Sequence, residues 1–325
     1  MAYVDRLLEL VGPKLQLVEE ELRRNFQSPI KTIHDVGEHI LAGGGKRLRP
    51  SLLLVAAQML RYEGYSDVVY GAVVEFIHNA TLVHDDIIDE ADVRRGRTSI
   101  NYRWGNNLTV LVGDYLFMHS MNLALGEGRL DVLRLLSTVT LRMIEGEILG
   151  LETNGRADLS VEDYFDIVHR KTALLFAACC RIPGYIAEAA EPLANGLYNY
   201  GFNLGICFQL IDDLLDFTSS TEVLGKPVLS DLKEGKITLP LILAMPRATT
   251  REREIITRVA SMKSFDGTDP QEILDIVHRY DTIERTREIA RDYANGGRMA
   301  LDPFPSSAAK ELLLLALDYV MEREK

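Results

Sequence analysis

The 325-residue sequence contains only three cysteines, and they give no indication of a zinc centre. Cys179, Cys180 and Cys207 are odd in number and lack the spacing of zinc ligands. Unpaired cysteines are among the residues most often found in protein interiors. We therefore expect three buried, reduced thiols.

Long uninterrupted hydrophobic runs are also missing. No window of about 18 residues is both apolar and free of charge, and the longest candidate, 108–118, is too short and contains Asp114. The N-terminal segment lacks the basic-then-apolar layout of a signal peptide, because Asp5 and Glu9 come early. We expect no membrane span and a cytoplasmic location.

Basic residues are too few for a protein that binds a phosphate backbone. Lysine and arginine number 36 against 48 aspartates and glutamates, which gives a formal net charge of −12. Affinity for nucleic acid depends largely on a cationic surface, so no nucleic-acid partner is expected. An acidic protein can still bind a small anion through local basic clusters or through metal ions.

What the sequence does contain is a helical period along most of its length. Apolar residues recur every three or four positions from Val4 to Leu22, with charges between them. Helix starts are predicted at Ser160 and Asp269, and breaks at several glycines and prolines, including Pro183 and Gly184. Alternating strand patterns are scarce and no linker is visible. We predict an all-α fold in one domain, residues 1–325.

A short acidic repeat stands out from this helical background. The segments 84–89 (HDDIID) and 211–216 (IDDLLD) each place DDxxD at the end of an apolar run. Residues four apart share a helix face, so each motif forms a pair of like charges that weakens an isolated helix. A solvated acidic helix end is the plain alternative for one copy, but two copies favour a site for hard cations. Magnesium usually bridges carboxylates to substrate phosphates, which indicates a diphosphate ligand.

Basic segments accompany the two acidic motifs. The glycine-rich turn 43–50 (GGGKRLRP) carries three positive charges, and 92–96 (DVRRG) carries two adjacent arginines. Lys171 lies inside an apolar helical segment, where an unpaired lysine would be costly. Lys226 and Lys236 follow the second acidic motif. Each segment alone is weak evidence, but together they match an anionic substrate.

At these residues the chain resembles the trans-isoprenyl diphosphate synthases, and among them the long-chain, octaprenyl type. The order and spacing of the motifs agree from about residue 43 to residue 241: GGGKRLRP, HDDIIDEADVRRG, VGDYLF, EGE, RKTA, FQLIDDLLD and DLKEGK. The resemblance implies a single-domain isoprenoid synthase helical bundle with a central cavity, and a homodimer. It also implies the joining of isopentenyl diphosphate to an allylic diphosphate primer, with magnesium, for a quinone side chain.

The resemblance assigns roles residue by residue. Three magnesium ions would be bound by the six aspartates, with Asp85, Asp89 and Asp212 as direct ligands and Asp86, Asp213 and Asp216 in support. The allylic diphosphate would be contacted by Arg94, Lys171, Lys226 and Lys236. Isopentenyl diphosphate would be contacted by Lys46, Arg49, His78 and Arg95. The catalytic set would be Lys171, Thr172, Gln209 and Lys236, with Thr172 and Gln209 facing the developing allylic cation.

Product length is expected to depend on the helix that ends in the first acidic motif. Ala80 lies five residues before Asp85, about 7–8 Å along a helix. In short-chain relatives an aromatic side chain near this level blocks the growing hydrocarbon. Here Ala80 and Thr81 are small, with Ile77 a deeper candidate for the floor. The alternative is that Ala80 is small because two helices cross there. We expect seven to nine isoprene units, eight being favoured.

One departure and several alternatives remain. Many relatives carry glycine where this chain has Leu229, which puts the flexibility of the loop after the second motif in question. The alternatives are a short-chain synthase, a class I terpene cyclase and a non-catalytic subunit of a heteromeric synthase. A cyclase has no second diphosphate to bind, and a non-catalytic subunit loses its carboxylates. The intact second DDxxD and the GGGKRLRP segment disfavour both.

Overall fold

The chain folds almost entirely into helices, which confirms the predicted all-α class. The computed structural model describes residues 3–94, 96–218 and 228–323. The first helices are α1 (Tyr3–Asn25), α2 (Lys31–Ala42), α3 (Leu48–Met59), α4 (Ser66–Ile88), α5 (Ile100–Trp104), α6 (Asn106–Gly126), α7 (Leu130–Thr153), α8 (Val161–Val168), α9 (Leu174–Ile186) and α10 (Glu191–Thr218). A π-helical turn, His169–Ala173, joins α8 to α9. Further helices span Ser230–Lys233, Leu239–Ala244, Thr250–Met262, Pro270–Arg279, Thr282–Ala300 and Ala308–Met321. The strands in the described ranges are β1 (Val93–Arg94) and β2 (Arg97–Thr98).

Contacts along the backbone group the chain into two compact units. The first comprises Met1–Thr140, Ala178–Tyr198 and Pro303–Leu315. The second comprises Leu141–Ala177, Asn199–Asp302 and Ala316–Lys325. A single domain over residues 1–325 stays a prediction.

In the first unit, α4 is the central helix and packs against α1, α3 and α6. In helix α3, residues 50–57 are all buried, as expected for an interior helix. Gly113 of α6 allows close approach to α4, because a Cβ atom there would lie 2.1 Å from Nε2 of His84. Cys179 and Cys180 of α9 are buried and reduced, as is Cys207 of the second unit, which confirms the prediction.

In the second unit, glycines bring two helices against the segment that contains the π-helical turn. A Cβ atom at Gly146 of α7 would lie 2.6 Å from Cβ of Arg170, and one at Gly205 of α10 would lie 2.7 Å from Cα of Ala173. Both distances are shorter than packed side chains allow. Glycine at these two positions therefore sets how closely α7 and α10 approach residues 169–173.

Helix ends follow the predicted signals in two places and differ in a third. Ser160 caps α8 in a capping box with Asp163, and the Asp269 side chain accepts a hydrogen bond from the Gln271 backbone at the start of Pro270–Arg279. The break predicted at Pro183 and Gly184 is wrong, since α9 continues through both to Ile186. A proline removes one helical hydrogen bond, and three residues from the helix end that loss is tolerated.

Helix α6 has the length and composition of a membrane-crossing segment, and it is the only helix of the described ranges that does. Its most apolar 18-residue window has a mean hydropathy of 1.2, and 33% of that window is buried in the structure. Because core helices also meet this description, the absence of a membrane span stays a prediction.

An ion pair between α1 and α4 gives a test of the first unit. Lys14 Nζ lies 2.5 Å from Oδ2 of the fully buried Asp67. Burial raises the pKa of Asp67, and the positive charge of Lys14 opposes that rise. We expect Lys14→Met to lower the free energy of unfolding by about 3 kcal/mol at pH 7, because the buried carboxylate loses its partner.

The loss should shrink as pH falls, since Asp67 then becomes protonated and no longer needs the cation. Urea unfolding at pH 7 and pH 5 measures both effects. A loss of the same size at both pH values would contradict the assignment.

Candidate active site

The first acidic motif occupies the C-terminal end of α4, and its three aspartates differ in environment. Asp85 is half-buried, and Asp89 follows the last helical residue and is exposed. Asp86 is buried and accepts a hydrogen bond from Nε of Arg94. Burial raises the pKa of Asp86, and the charge of Arg94 lowers it. Asp85 and Asp89 are thus the two carboxylates of this motif that solvent reaches, while Asp86 holds Arg94.

A two-stranded hairpin follows the first motif and carries Arg94. Val93 pairs with Thr98 and Arg94 with Arg97, and Gly96 at the turn has a φ of +72°. Strands of two residues are too short for an alternating pattern of apolar and polar residues to be detected in the sequence, although Gly96 indicates a turn. Arg95, predicted to bind isopentenyl diphosphate, lies outside the described residues.

The glycine-rich segment 43–50, which runs into the first turn of α3, presents its three cations unequally. Lys46 is exposed and Arg49 is half-buried. Arg47 turns inward, where its guanidinium lies 2.5 Å from Glu19 of α1 and 2.7 Å from Glu75 of α4. His78, half-buried, follows Glu75 by one helical turn on α4. The contact between Arg47 and Glu75 therefore ties the loop to the helix that carries His78.

The second acidic motif lies near the end of α10, and again one aspartate is exposed. Asp212 is 49% exposed, and one of its oxygens lies 3.4 Å from Nη1 of Arg323. Asp213 is buried and accepts hydrogen bonds from the Tyr164 hydroxyl at 2.5 Å and the Gln209 amide at 2.8 Å. Burial, reinforced by the negative charge of Asp231, raises the pKa of Asp213 to about 8.

Asp216, the last residue of the second motif, binds the start of the helix Ser230–Lys233. Its carboxylate accepts hydrogen bonds from the Ser230 backbone and hydroxyl at 3.1 and 2.8 Å, and from the Asp231 backbone at 3.1 Å. Asp216 is buried in this arrangement. Its supporting role in metal binding stays a prediction, and in this structure it orders residues 229–231.

Lys171 and Thr172 lie in a π-helical turn, whereas the sequence predicted an ordinary apolar helix. Lys171 Nζ lies 2.6 Å from Glu147, and Arg170 lies 2.6 Å from Glu145. The two glutamates are those of the EGE motif, so that motif supplies the counter-charges of the turn. π-Helical turns are rare and occur frequently at functional sites.

A chain of hydrogen bonds runs from the π-helical turn to the second motif. The Thr172 hydroxyl donates to Gln209 at 2.9 Å, and the Gln209 amide in turn donates to Asp213. The structure thus brings together Thr172 and Gln209, the two residues expected to face the allylic cation. Tyr164 completes this chain and was not singled out in the sequence, because a tyrosine in an amphipathic helix carries no signal of its own.

The loop after the second motif contains the last two predicted lysines. Lys226 lies outside the described residues. Lys236 Nζ lies 2.8 Å from Glu234. Leu229, where many relatives carry glycine, has a φ of 58° and a fully buried side chain. Its position requires a left-handed backbone, which explains the glycine preference.

The predicted chain-length residues lie on α4 below the first motif. Ile77 and Ala80 are fully buried, and the half-buried Thr81 donates its hydroxyl to the His78 carbonyl at 2.7 Å. Met118 of α6 is largely exposed in this chain. Buried small and branched residues on α4 are compatible with either a hydrocarbon path or a close helix crossing.

The accessible carboxylates of each acidic motif are donors of the kind that magnesium binds. Within residues 3–94, 96–218 and 228–323, no three histidine, cysteine or acidic side chains are grouped closely enough to hold a metal by themselves. Asp85, Asp89 and Asp212 nevertheless offer accessible carboxylate oxygens, the donors that hard cations prefer. Magnesium commonly takes one or two carboxylates and fills its remaining positions with water and phosphate oxygens.

Comparisons with known proteins agree with this chemistry. The polyprenyl synthetase family model matches residues 30–277. The chain is 35% identical to the octaprenyl diphosphate synthase of Escherichia coli (strain K12), over 99% of both chains. Its structure is similar to a decaprenyl diphosphate synthase from Rhodobacter capsulatus, with a TM-score of 0.93 and 36% identity over 99% of each chain.

A polyprenyl synthase from Caulobacter crescentus CB15, solved in complex with calcium and isoprenyl diphosphate, is equally similar. Its TM-score is 0.93 and its identity 34%, over 99% of this chain and 98% of that one. These likenesses extend over nearly the whole length and include the all-α isoprenoid synthase fold. The chain therefore belongs to the polyprenyl synthetase family and is a prenyltransferase, a trans-polyprenyl diphosphate synthase.

Proposed function

We propose that this enzyme joins isopentenyl diphosphate units head-to-tail onto an allylic diphosphate primer, with magnesium, and releases a long all-trans product. The observation that carries the proposal is the pairing of two DDxxD motifs with separate basic segments. Each motif keeps an accessible aspartate at a helix end, and the second keeps Gln209 and Thr172 beside it. The proposed use of the product is as a quinone side chain, in the cytoplasm.

The allylic diphosphate is bound by magnesium on Asp85, Asp89 and Asp212, three ions in all, and by basic side chains. Arg94 and Lys171 are the described cations that support this assignment best. Arg94 is held by the buried Asp86, and Lys171 by Glu147, so each charge has a fixed position. Asp86, Asp213 and Asp216 support the direct ligands.

Isopentenyl diphosphate is bound by Lys46, Arg49, His78 and Arg95. In support, the exposed Lys46 and the half-buried Arg49, in the first turn of α3, lie on either side of Arg47, whose ion pair with Glu75 ties this segment to α4 near His78. Two neighbouring cations on a glycine-rich turn suit a compact anion with several oxygens.

The reaction requires no side-chain nucleophile. Bound magnesium supplies neutralisation of the charge that builds on the leaving diphosphate. Lys171 and Lys236 add positive charge at the same group, which favours ionisation of the carbon–oxygen bond. Thr172 and Gln209 place oxygen dipoles toward the allylic cation. The terminal alkene carbon of isopentenyl diphosphate then forms the new bond, and a proton leaves to the released diphosphate.

The product is proposed to contain seven to nine isoprene units, with eight favoured. The small residues Ala80 and Thr81 stand on α4 below the first motif in place of an aromatic side chain, and the Escherichia coli relative is an octaprenyl synthase. The Rhodobacter capsulatus structure is a decaprenyl synthase, so a length above eight also occurs among similar proteins. A short-chain product is the alternative.

A homodimer is the proposed assembly, with apolar helix faces as its support. Leu111, Met118 and Leu125 recur every seven residues along α6 and are 65%, 69% and 62% exposed. Leu141 and Ile148 of α7 are also exposed, seven residues apart. Apolar stripes of this kind on a helix are typical of surfaces that a second subunit covers.

Both acidic motifs should be essential. We expect Asp85→Ala or Asp212→Ala to lower kcat at least ~100-fold, comparable to losing a major stabiliser of transition-state charge. Folding should persist, because removing like-charge repulsion rarely unfolds a helix. Glu90→Gln, an exposed acidic neighbour of Asp89, is the control and should keep its activity. Near-normal turnover of either aspartate variant at saturating magnesium would refute the assignment.

The position of the π-helical turn should depend on Gly146 of α7, which packs against Arg170 and Lys171. In Gly146→Ala the new methyl would lie 2.6 Å from Cβ of Arg170 and 2.9 Å from the Lys171 backbone nitrogen. The turn must shift, so we expect kcat to fall at least about tenfold, as small misplacements of catalytic groups do.

Gly150→Ala on the same helix is the matched control, because a methyl there meets its nearest atom at 4.0 Å. Steady-state assays of both variants measure the effect. Equal activity in the two variants would show that the position of the turn does not matter.

Enlarging the side chain at Ala80 should shorten the product. We expect Ala80→Phe to shift the main product to about fifteen to twenty carbons, because a ring in place of a buried methyl blocks the path. Ala80→Ser is the control of similar size and should keep the long product. Reversed-phase separation of dephosphorylated products tests this. A wild-type product of fifteen or twenty carbons would refute the long-chain proposal. An unchanged product in Ala80→Phe would refute the proposed effect of this position on product length.

A further inference from the structure

Of the three cations in the glycine-rich segment, Arg47 is the one to which no role in substrate binding is assigned. It is only 7% exposed, although its neighbours Lys46 and Arg49 are not buried. Its guanidinium donates from Nε and Nη2 to the two oxygens of Glu19, at 2.5 and 3.3 Å, and from Nη1 to Glu75 at 2.7 Å. A guanidinium already committed to two carboxylates is poorly placed to bind a phosphate.

The backbone at Arg47 is as unusual as its side chain. Its φ is 45° and its ψ 35°, the left-handed region, and it is the residue immediately before the first turn of α3. A non-glycine residue in this region costs about 1–2 kcal/mol and persists where the surroundings fix it. The three hydrogen bonds to Glu19 and Glu75 are the contacts that fix it here.

The three members of this cluster come from three separate segments. Glu19 belongs to α1, Arg47 to the loop and Glu75 to α4, one helical turn before His78. Lys46 precedes Arg47 by one residue and Arg49 follows it by two, so the direction of both side chains depends on the backbone at Arg47. Fixing Arg47 therefore fixes Lys46 and Arg49 relative to His78.

We propose that Arg47 is a positioning residue for isopentenyl diphosphate, acting through its ion pairs with Glu19 and Glu75 rather than by contact with the substrate. The inference rests on the proposed assignment of Lys46, Arg49 and His78 to that substrate. Arginine is required because its planar fork engages Glu19 with two donors and Glu75 with a third, which a lysine ammonium cannot reproduce.

The test measures isopentenyl diphosphate binding and steady-state kinetics in the full-length protein. Calorimetric titration with isopentenyl diphosphate alone gives its Kd, and assays with a farnesyl primer give kcat and both KM values. In Arg47→Lys and Glu75→Gln we expect the Kd and KM for isopentenyl diphosphate to rise about tenfold, equivalent to about 1.4 kcal/mol. The KM for the primer should change less than about twofold, within the few tenths of a kcal/mol expected of an uncoupled site.

Lys14→Met is the matched control. It breaks another ion pair between α1 and α4, Lys14–Asp67, far from the loop in sequence. Loss of stability alone would affect both kinds of variant, whereas positioning of the loop predicts that only the Arg47 and Glu75 variants lose affinity. Glu19→Gln, at the accessible edge of the cluster, replaces any variant that does not fold.

The outcomes separate this inference from the proposed function. If Lys46→Ala leaves the Kd for isopentenyl diphosphate unchanged, the substrate assignment itself fails. If Lys46→Ala weakens binding but folded Arg47→Lys does not, the positioning role of Arg47 is overturned. Equal weakening in Lys14→Met and Arg47→Lys would also overturn it, because a general loosening of α1 would then explain the result.

Discussion

A polar group removed from water needs a hydrogen-bonding or charged partner, and this constraint shapes the surroundings of both acidic motifs. In the first acidic motif the buried Asp86 takes Arg94 as its partner, and in the second the buried Asp213 takes Tyr164 and Gln209. Leaving either buried carboxyl group without a partner would cost several kcal/mol. The buried aspartates therefore organise the side chains around them, while the accessible Asp85 and Asp212 remain at the surface that a metal can reach.

Two loops in the structure depend on a residue other than glycine in the left-handed region. Arg47 begins α3 and Leu229 begins the short helix Ser230–Lys233, with φ values of 45° and 58°. Each is held by its buried side chain, Arg47 by ion pairs and Leu229 by apolar packing. At Leu229 the backbone strain that glycine would avoid is offset by burial of a large side chain, worth about 1.5–3 kcal/mol. The leucine therefore restricts the backbone at the start of the helix Ser230–Lys233 more than a glycine would.

Much of the fold could be predicted from the sequence because it depends on local signals. Period, caps and DDxxD spacing act within a few residues, and the helices and the caps at Ser160 and Asp269 were found from them. The inward turn of Arg47 and the π-helical turn at Lys171 could not be predicted. Both depend on partners far away in the chain, Glu75 for the first and Gly146 for the second. A basic loop and an apolar segment look the same in sequence whether or not such partners exist.

The ion pairs at the predicted diphosphate ligands have a thermodynamic consequence. Arg94, Lys171 and Lys236 each lie beside a carboxylate of the same unit, namely Asp86, Glu147 and Glu234. A diphosphate arriving alone must compete with those carboxylates and also meets the charges of the exposed aspartates. A diphosphate that carries magnesium meets less repulsion, because the metal neutralises them. By thermodynamic linkage, magnesium and the diphosphate must each raise the affinity for the other by the same factor. On the proposed assignment, metal and primer would therefore bind as coupled ligands, and the apparent affinity of either would depend on the concentration of the other.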